Sequence, residues 1–247
     1  MNGALTLSGS GVITSNSTVT VPSPVTLSGV VSGSGGLTKA GSGILTLMGS
    51  NTFSGGTTVN GGTIRIGSNT AFGTAGLTLN NGVTLTSDGT SPRSLSNTYS
   101  TSGTVTLGAA STYTGSLTFS GSGALTAGTT LTVSAPVVLS GAVSGAFSLT
   151  KGGASILTLG GANTFTGGVT VTGGAGSVVR IGHDTGLGSG LLTLNTASVG
   201  VSSDSVTART LANAFTIGAS VTMGDATNSG ALTFGGTGAI TANSTVT

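Results

Sequence analysis

The side chains that could carry out acid–base or nucleophilic chemistry in this chain are few and widely scattered. Its 247 residues include six Lys or Arg, four acidic residues and one His, with no Cys. Hydrolysis of a glycosidic bond requires two carboxyl groups at a defined separation. The acidic residues are all aspartates and are dispersed: Asp88, Asp184, Asp204 and Asp225. The composition therefore argues against a polysaccharide-active enzyme, the enzyme class that we weigh against a non-catalytic role.

The sequence also has few residues that could carry out nucleophilic catalysis or bind a metal ion. A serine nucleophile needs a base, and His183 is the single histidine. Asp204 is the one further carboxylate that we expect within about one coil of His183 and Asp184. The sequence has neither a Gly-x-Ser-x-Gly elbow at a strand–helix turn nor a calcium-binding Gly-Gly-x-Gly-x-Asp repeat. We predict no catalytic residue, no metal site and no cofactor.

The chain repeats itself with a period of about 115 residues. Equivalent residues are separated by 112 to 116 positions, as for Asn51 and Asn163 or Arg93 and Arg209. The final ten residues match residues 11–20 in eight positions. We predict one continuous solenoid that is a fragment of a longer array. Its range is 1–247, with units at approximately 1–112 and 113–228 and the start of a third at 229–247.

Twelve side chains recur at equivalent positions of the two units, and we predict structural roles for them, or solubilising roles for the eight charged ones. They are Lys39 and Lys151, Asn51 and Asn163, Phe53 and Phe165, Arg65 and Arg180, Asp88 and Asp204, and Arg93 and Arg209. A unique active site would not need to be duplicated. Asp88 and Arg93 are close enough in sequence for a local ion pair, worth about 0–1 kcal/mol at a surface. His183, Asp184 and Asp225 have no charged counterpart in the first unit.

Within each unit, apolar and polar residues alternate over short segments, as in Leu45-Thr46-Leu47 and Ile64-Arg65-Ile66. This period of two is typical of strands with one buried face. The alternation predicts that Arg65 faces solvent between two inward isoleucines. Gly-Gly and Asn-Gly pairs between the segments supply the positive φ angles of tight corners.

Two all-β architectures fit this pattern: a series of sandwich domains and a right-handed parallel β-helix, or β-solenoid. We favour the β-helix because strands of three to five residues are shorter than usual sandwich strands. Aromatic residues are also scarce, at 4% of the chain. We predict roughly 10–12 coils of about 20 residues each. At about 4.8 Å per coil, these coils form a rod of roughly 50–60 Å.

One segment of each unit resembles a known repeat. Residues 37–62 read LTKAGSGILTLMGSNTFSGGTTVNGG, and residues 149–174 follow the same order of elements. This order resembles the autotransporter-associated β-strand repeat of adhesin-like passengers. The resemblance implies a β-helical stalk that is extracellular or at the cell surface, anchored in the outer membrane in the parent protein or released. The resemblance implies no catalytic residues that could be assigned to positions of this chain.

We therefore expect a structural or adhesive stalk, with a self-assembling extracellular fibre subunit as the second hypothesis. The expected partners are other cells, surface glycans or further copies of the chain. The basic residues are scattered singly, whereas a phosphate-binding surface needs them clustered, so we predict no nucleic-acid partner. No apolar run approaches the roughly 20 residues of a membrane-spanning helix.

Thr-x-Thr pairs recur along the chain and suggest a flat threonine array of the kind that orders water. The first threonines of these pairs are Thr18, Thr84, Thr104, Thr130 and Thr170. Their spacings differ too much to fit one coil length. We therefore expect that they do not stack into one ladder and disfavour ice binding.

Overall fold

Short parallel strands joined by tight corners make up the fold in the computed structural model, which describes residues 3–247. Met1 and Asn2, with which the first predicted unit begins, lie outside the described residues. The strands are β1 Leu5–Leu7, β2 Gly11–Val12, β3 Ser17–Thr20, β4 Val25–Leu27, β5 Val31–Ser32, β6 Leu37–Ala40, β7 Ile44–Leu47, β8 Thr57–Val59, β9 Thr63–Ile66, β10 Leu77–Leu79, β11 Val83–Ser87, β12 Arg93–Leu95, β13 Tyr99–Leu107, β14 Leu117–Phe119, β15 Gly123–Val133, β16 Val137–Leu139, β17 Val143–Ser144, β18 Leu149–Gly152, β19 Ile156–Leu159, β20 Val169–Val171, β21 Val178–Ile181, β22 Leu192–Leu194, β23 Gly200–Ser203, β24 Arg209–Leu211, β25 Phe215–Ile217, β26 Thr222–Met223, β27 Leu232–Phe234 and β28 Gly238–Ile240.

The strands pair in parallel with strands about one coil away along the chain. Most of these pairs form three stacks, and β2 with β5 and β24 with β27 are two separate pairs. The first stack is β1, β4, β7, β9, β11, β13, β15, β18, β20, β22, β25 and β28. The second is β3, β6, β8, β10, β13, β15 and β17. The third is β12, β14, β16, β19, β21, β23 and β26. The predicted β-solenoid is confirmed, with about 11 turns.

The core consists of ladders of apolar side chains that follow each other from coil to coil. In β7, Leu45 and Leu47 are fully buried while Thr46 between them is half-buried, as the alternation predicts. One such ladder, formed by register partners in the first stack, runs through Leu45, Ile64, Leu85, Leu107 and Val133. Because every coil repeats the inward–outward alternation, the apolar core continues through both sequence units.

Two strands are much longer than the predicted three to five residues. β13 has 9 residues and β15 has 11. Each begins in the second stack and ends in the first, so each passes around a corner of the solenoid without losing its pairing. In β13 the corner lies at Gly103, whose φ of +64° lies in the left-handed region. The prediction of strand length was wrong here because alternation does not show whether a corner interrupts pairing.

The sequence unit does not correspond to a whole number of turns. Starting at Leu37, the register partners in the second stack are Thr57, Leu77, Tyr99, Gly123 and Val143, five turns later. Leu149, the sequence equivalent of Leu37, begins the next strand, which lies in the first stack. One unit therefore spans about five and one-third turns. Equivalent residues of the two units lie on different sides of the solenoid.

Large aromatic side chains fit into the core where the next coil carries glycine. A Cβ at Gly123 would clash with the Tyr99 ring one coil below, and a Cβ at Gly238 would clash with Phe215 in the same way. Each aromatic ring also has an aromatic neighbour, Phe119 at 4.9 Å or Phe234 at 5.2 Å between ring centroids. In both units, therefore, a strand glycine leaves the space that the aromatic ring of the preceding coil fills.

Candidate functional site

The two recurring lysines lie inside the solenoid and are fully buried, so neither solubilises the chain. The Lys39 ammonium donates hydrogen bonds to the carbonyl oxygens of Gly41 at 2.9 Å and Gly61 at 2.7 Å. Because these glycines belong to successive coils, the ammonium ties two corners together. Lys151 makes the corresponding bonds to the Gly153 carbonyl at 2.8 Å and the Ser177 hydroxyl at 2.7 Å.

Burial changes the ionisation of both lysines. Removal from water disfavours the charged ammonium, and it lowers the pKa of Lys39 from its ordinary value. The same cause lowers the pKa of Lys151 to about 8. A lysine with a lowered pKa can act as a nucleophile, but a group fully covered by protein atoms cannot reach a dissolved substrate. The geometry supports a structural role for both.

The recurring asparagines Asn51 and Asn163 are buried and connect three successive coils. The Asn51 side-chain oxygen accepts a hydrogen bond from the Val31 backbone N–H at 2.8 Å, and its amide nitrogen donates to the Ala71 carbonyl at 2.7 Å. Asn163 bonds in the same way to neighbours one coil before and one coil after it. These side chains satisfy backbone groups at positions where the strand ladder is interrupted.

Phe53 and Phe165 follow these asparagines and are also fully buried. Each lies directly against a glycine of the next coil, Gly73 or Gly188, both with positive φ. A left-handed glycine has no Cβ to collide with the ring. The recurring Asn-Thr-Phe segment therefore forms one corner of the solenoid in each unit.

A second pair of buried asparagines, Asn97 and Asn213, was missed by the sequence analysis. The Asn97 amide donates to the Gly73 carbonyl at 3.1 Å and the Ala75 carbonyl at 2.5 Å. Asn213 makes the equivalent bonds to Gly188 and Gly190. Their recurrence at an offset of 116 was the signal that could have identified them.

The half-buried charges of the first unit gather along one edge. Arg93 and Asp88 form an ion pair at 2.5 Å. The Arg65 guanidinium lies over the Tyr113 ring, 3.7 Å from its centroid, which is a cation–π contact. As predicted, Arg65 points outward between the buried residues Ile64 and Ile66. Sequence reasoning missed Tyr113 because it lies in a loop far from Arg65 along the chain.

The second unit repeats this group of charges on a different side of the solenoid, with a different partner for one arginine. Arg209 pairs with Asp204 at 3.3 Å, and Arg180 pairs with Asp225 at 2.7 Å. Hydrogen bonds from the Thr227 backbone N–H, from Arg180 and from Asn228 lower the pKa of Asp225. A carboxylate thus replaces the aromatic ring that covers the equivalent arginine of the first unit. Asp225, which has no charged counterpart in the first unit, is an ion-pair partner.

His183 and Asp184 perform the turn functions of the residues that they replace. His183 Nδ1 accepts a hydrogen bond from the Thr185 backbone N–H at 3.1 Å, as the Ser68 hydroxyl does from Thr70 at 3.2 Å. Asp184 accepts from the Thr210 backbone N–H at 3.1 Å; in the first unit, Asn69 accepts from Ser94. Residues 3–247 contain no group of three His, Cys or acidic side chains that could hold a metal ion.

The outward threonines form a ladder that the sequence analysis did not expect. Thr104, Thr130, Thr150, Thr170, Thr193 and Thr216 follow each other in register on the first stack. Of the five threonines named from the sequence, Thr104, Thr130 and Thr170 stack, whereas Thr18 lies in the second stack and Thr84 pairs with Thr106. The expectation was wrong for the three that stack because it assumed one coil length. The coil from Thr104 to Thr130 has 26 residues, whereas the next two have 20 each.

A shallow groove of about 540 Å³ crosses the beginnings of β8, β10, β13, β15 and β17. Ser, Thr, Gly and Ala residues line most of it, and no charged residue does. Tyr99 also lines the groove, but it is 7% exposed, and its hydroxyl makes no hydrogen bond to the described residues. Burial raises the pKa of this phenol, so the groove offers no ionised group for catalysis.

The model of one protein family, the passenger-associated-transport-repeat, matches the chain twice, at residues 37–66 and 149–175. These two segments are similar to an autotransporter passenger repeat. This finding confirms the resemblance drawn from residues 37–62 and 149–174. In the passenger repeats, the matched residues include the buried lysine, the buried asparagine and the Asn-Thr-Phe corner described above.

The passenger-repeat family implies an extracellular or cell-surface protein and suggests a non-enzymatic repeat region. No curated protein and no solved structure matches the chain. The part of the chain that the structure describes has no helix long and apolar enough to cross a membrane.

Proposed function

We propose that this chain is a structural stalk of a secreted or cell-surface protein, holding other parts of that protein away from the cell without catalysing a reaction. The observation that carries this proposal is the continuity of the first stack. Its register pairs run without a break from Leu5 in β1 to Ile240 in β28 and pass through both sequence units. Because each coil of a solenoid contacts only its neighbours, every added coil extends the molecule along one axis.

The use of the reactive side chains supports the same proposal. Lys39 and Lys151 are bound within the core, and Arg93, Arg180 and Arg209 each pair with an aspartate. His183 and Asp184 hold turns. In the described residues, the charged side chains serve mainly to connect coils and corners, and they form no convergent set that faces a cleft.

Adhesion is the finer alternative, and the hydroxyl-lined groove across β8, β10, β13, β15 and β17 is the surface where it would be sought. Hydroxyl groups can exchange hydrogen bonds with a glycan, but the aromatic platform that would stack on a sugar ring is absent from the lining, where Tyr99 is buried. This favours a spacer over a lectin. Assembly into fibres, the second hypothesis from the sequence, stays a prediction.

The proposal is tested by displaying the chain on a bacterial surface between a translocating barrel and a terminal binding domain of known target. Deleting residues 37–148, one sequence unit, should shorten the reach of the binding domain by about 26 Å, at about 4.8 Å per turn. Surface display of the domain should persist. In the control, residues 37–148 are inserted again into the deletion variant, and the reach of the binding domain should be restored.

Three results would contradict the stalk proposal. One is saturable binding of purified residues 3–247 to glycans or cells. Another is turnover of a polysaccharide by the same material. The third is loss of the terminal domain from the surface when one unit is deleted. Concentration-dependent sedimentation of the purified chain would instead favour the fibre hypothesis.

A further inference from the structure

Two Asn-Gly pairs lie at exposed corners of the first unit, Asn60-Gly61 and Asn81-Gly82. In such a pair the glycine nitrogen can attack the asparagine side chain, because glycine presents no Cβ to hinder the approach. The reaction requires that this backbone nitrogen lose its proton, so the hydrogen bond of the glycine N–H controls it. The two corners differ in that bond.

At the first corner, the Gly61 N–H donates no hydrogen bond within the described residues. The side-chain oxygen of Asn60 accepts a hydrogen bond from the Asn80 amide at 2.6 Å. This donor polarises the Asn60 side-chain carbonyl, and negative charge developing on the oxygen during attack strengthens the bond. The nucleophile is thus free and the electrophile is activated. Asn60 itself is exposed, so water reaches the site.

At the second corner the asparagine side-chain carbonyl also accepts a hydrogen bond, but here the glycine N–H donates one as well. The Asn81 side-chain oxygen accepts a hydrogen bond from the Thr104 backbone N–H at 2.8 Å. The Gly82 N–H donates to the Thr104 carbonyl at 2.7 Å. Attack by the Gly82 nitrogen requires that this bond break first. Asn81-Gly82 is therefore a control within the same molecule, with the same residue types and similar exposure.

We infer that Asn60 is a site of spontaneous deamidation in the folded chain and that Asn81 is protected. Hydroxide removes the Gly61 amide proton, and the nitrogen then forms a bond to Asn60 Cγ. The bond from Cγ to the side-chain nitrogen breaks, and ammonia leaves with a proton from water. Water then opens the cyclic imide at either carbonyl, which yields aspartate or isoaspartate at position 60.

The modification distinguishes the two units. The second unit has Thr172-Gly173 in place of Asn60-Gly61, and threonine has no amide to lose. The new carboxylate stands next to Gly61, whose carbonyl accepts the bond from the buried Lys39 ammonium at 2.7 Å. The isoaspartate product also lengthens the backbone at this corner by one atom. The reaction therefore places an irreversible negative charge on one edge of the first unit.

The test incubates the purified chain in its folded state at neutral and mildly alkaline pH and follows the peptides that contain Asn60 and Asn81 by mass spectrometry. We expect Asn60 to convert roughly fivefold faster than Asn81, the factor corresponding to one hydrogen bond of about 1 kcal/mol. In denaturant the two rates should become similar, because neither glycine N–H is then held. Asn60→Gln should remove the Asn60 product and leave Asn81 unchanged.

Equal rates at the two sites in the folded chain would overturn the inference. So would faster conversion of Asn81, or the absence of conversion at both sites while the denatured chain reacts. Circular dichroism of the incubated sample establishes that the chain stays folded, so that the folded and denatured rates are compared directly.

Discussion

Leu45 and Leu157 stand at the same position of the two sequence repeats, and yet they lie on different sides of the solenoid. Leu45 pairs with Val25 and Ile64 in the first stack. Leu157 pairs with Val137 and Val179 in the third stack. The extra third of a turn in each unit causes this rotation. A feature that recurs once per unit is therefore presented to a different side of the rod each time.

The register of the first stack can be tested with engineered cysteines, because the chain has no native cysteine. Thr104 and Thr130 are register partners on neighbouring coils. Neighbouring strands lie about 4.8 Å apart, within the roughly 4.4–6.8 Å between Cα atoms that a disulfide spans. We expect Thr104→Cys with Thr130→Cys to cross-link on oxidation, observed as a mobility shift without reductant.

The matched control is Thr104→Cys with Thr118→Cys. Thr118 is closer to Thr104 in sequence but lies in the third stack, on another side of the solenoid. This pair should stay reduced within the monomer. A cross-link in the control pair, or none in the first pair, would show that the register differs.

Stability should rise with pH because of Lys151. Its pKa is about 8 in the folded chain, against an ordinary value of 10.5. Between these values the unfolded chain binds more protons than the folded chain, so the free energy of unfolding increases as pH rises through this window. Below about pH 8 both states are protonated and the desolvation penalty is fully present. We expect a gain on the order of 2 kcal/mol by about pH 10, measured by urea unfolding.

Lys151→Met should remove most of this pH dependence, because methionine fills a similar space without a titrating group. Arg180→Met, at a half-buried surface position, is the control and should leave the slope with pH unchanged, because arginine does not titrate in this window. A stability that falls between about pH 8 and pH 10 in the unmodified chain would contradict the assignment.

The buried asparagines should matter far more to stability than the exposed ones. Asn51→Ala leaves the Val31 N–H and the Ala71 carbonyl without their partners inside the core. We expect a loss of about 2–4 kcal/mol in the free energy of unfolding. Asn60→Ala, at an exposed corner, should change it by less than about 0.5 kcal/mol. Similar losses for the two variants in thermal and urea unfolding would refute the role given to Asn51.

A strand glycine that lies over an aromatic ring of the preceding coil should tolerate no side chain. Gly123→Ala places a Cβ against the Tyr99 ring, and overpacking of this kind costs about 1–3 kcal/mol. Tyr99→Leu in the same chain should remove the clash, so the double variant should be more stable than the sum of the single effects predicts. Gly89→Ala, which meets no atom within 4 Å, should alter stability by less than about 1 kcal/mol. Additive effects of Gly123→Ala and Tyr99→Leu would count against this packing.

The sequence by itself determined the solenoid, the inward and outward faces of its strands and the two repeats. The alternation in Leu45-Thr46-Leu47 and the recurrence of Lys39 as Lys151 were sufficient for this, because strand periodicity and repetition are local properties. The structure confirms the solenoid, and the match to the passenger-associated-transport-repeat falls on the recurring segments at residues 37–66 and 149–175. Arg65 also lies outward, as the alternation between two isoleucines requires.

Only the tertiary structure decided which residues meet across coils. Coil length varies with the loops at the corners, so Thr104 pairs with Thr130 after 26 residues, whereas Thr130 pairs with Thr150 after 20. No fixed period in the sequence reveals this register, and the expectation about the threonines failed for Thr104, Thr130 and Thr170 for that reason. The partners Tyr113 of Arg65 and Asp225 of Arg180 lie in loops that only the stacking brings over them. Burial of the Lys39 ammonium likewise follows from the corner of the next coil, whose Gly61 carbonyl receives it.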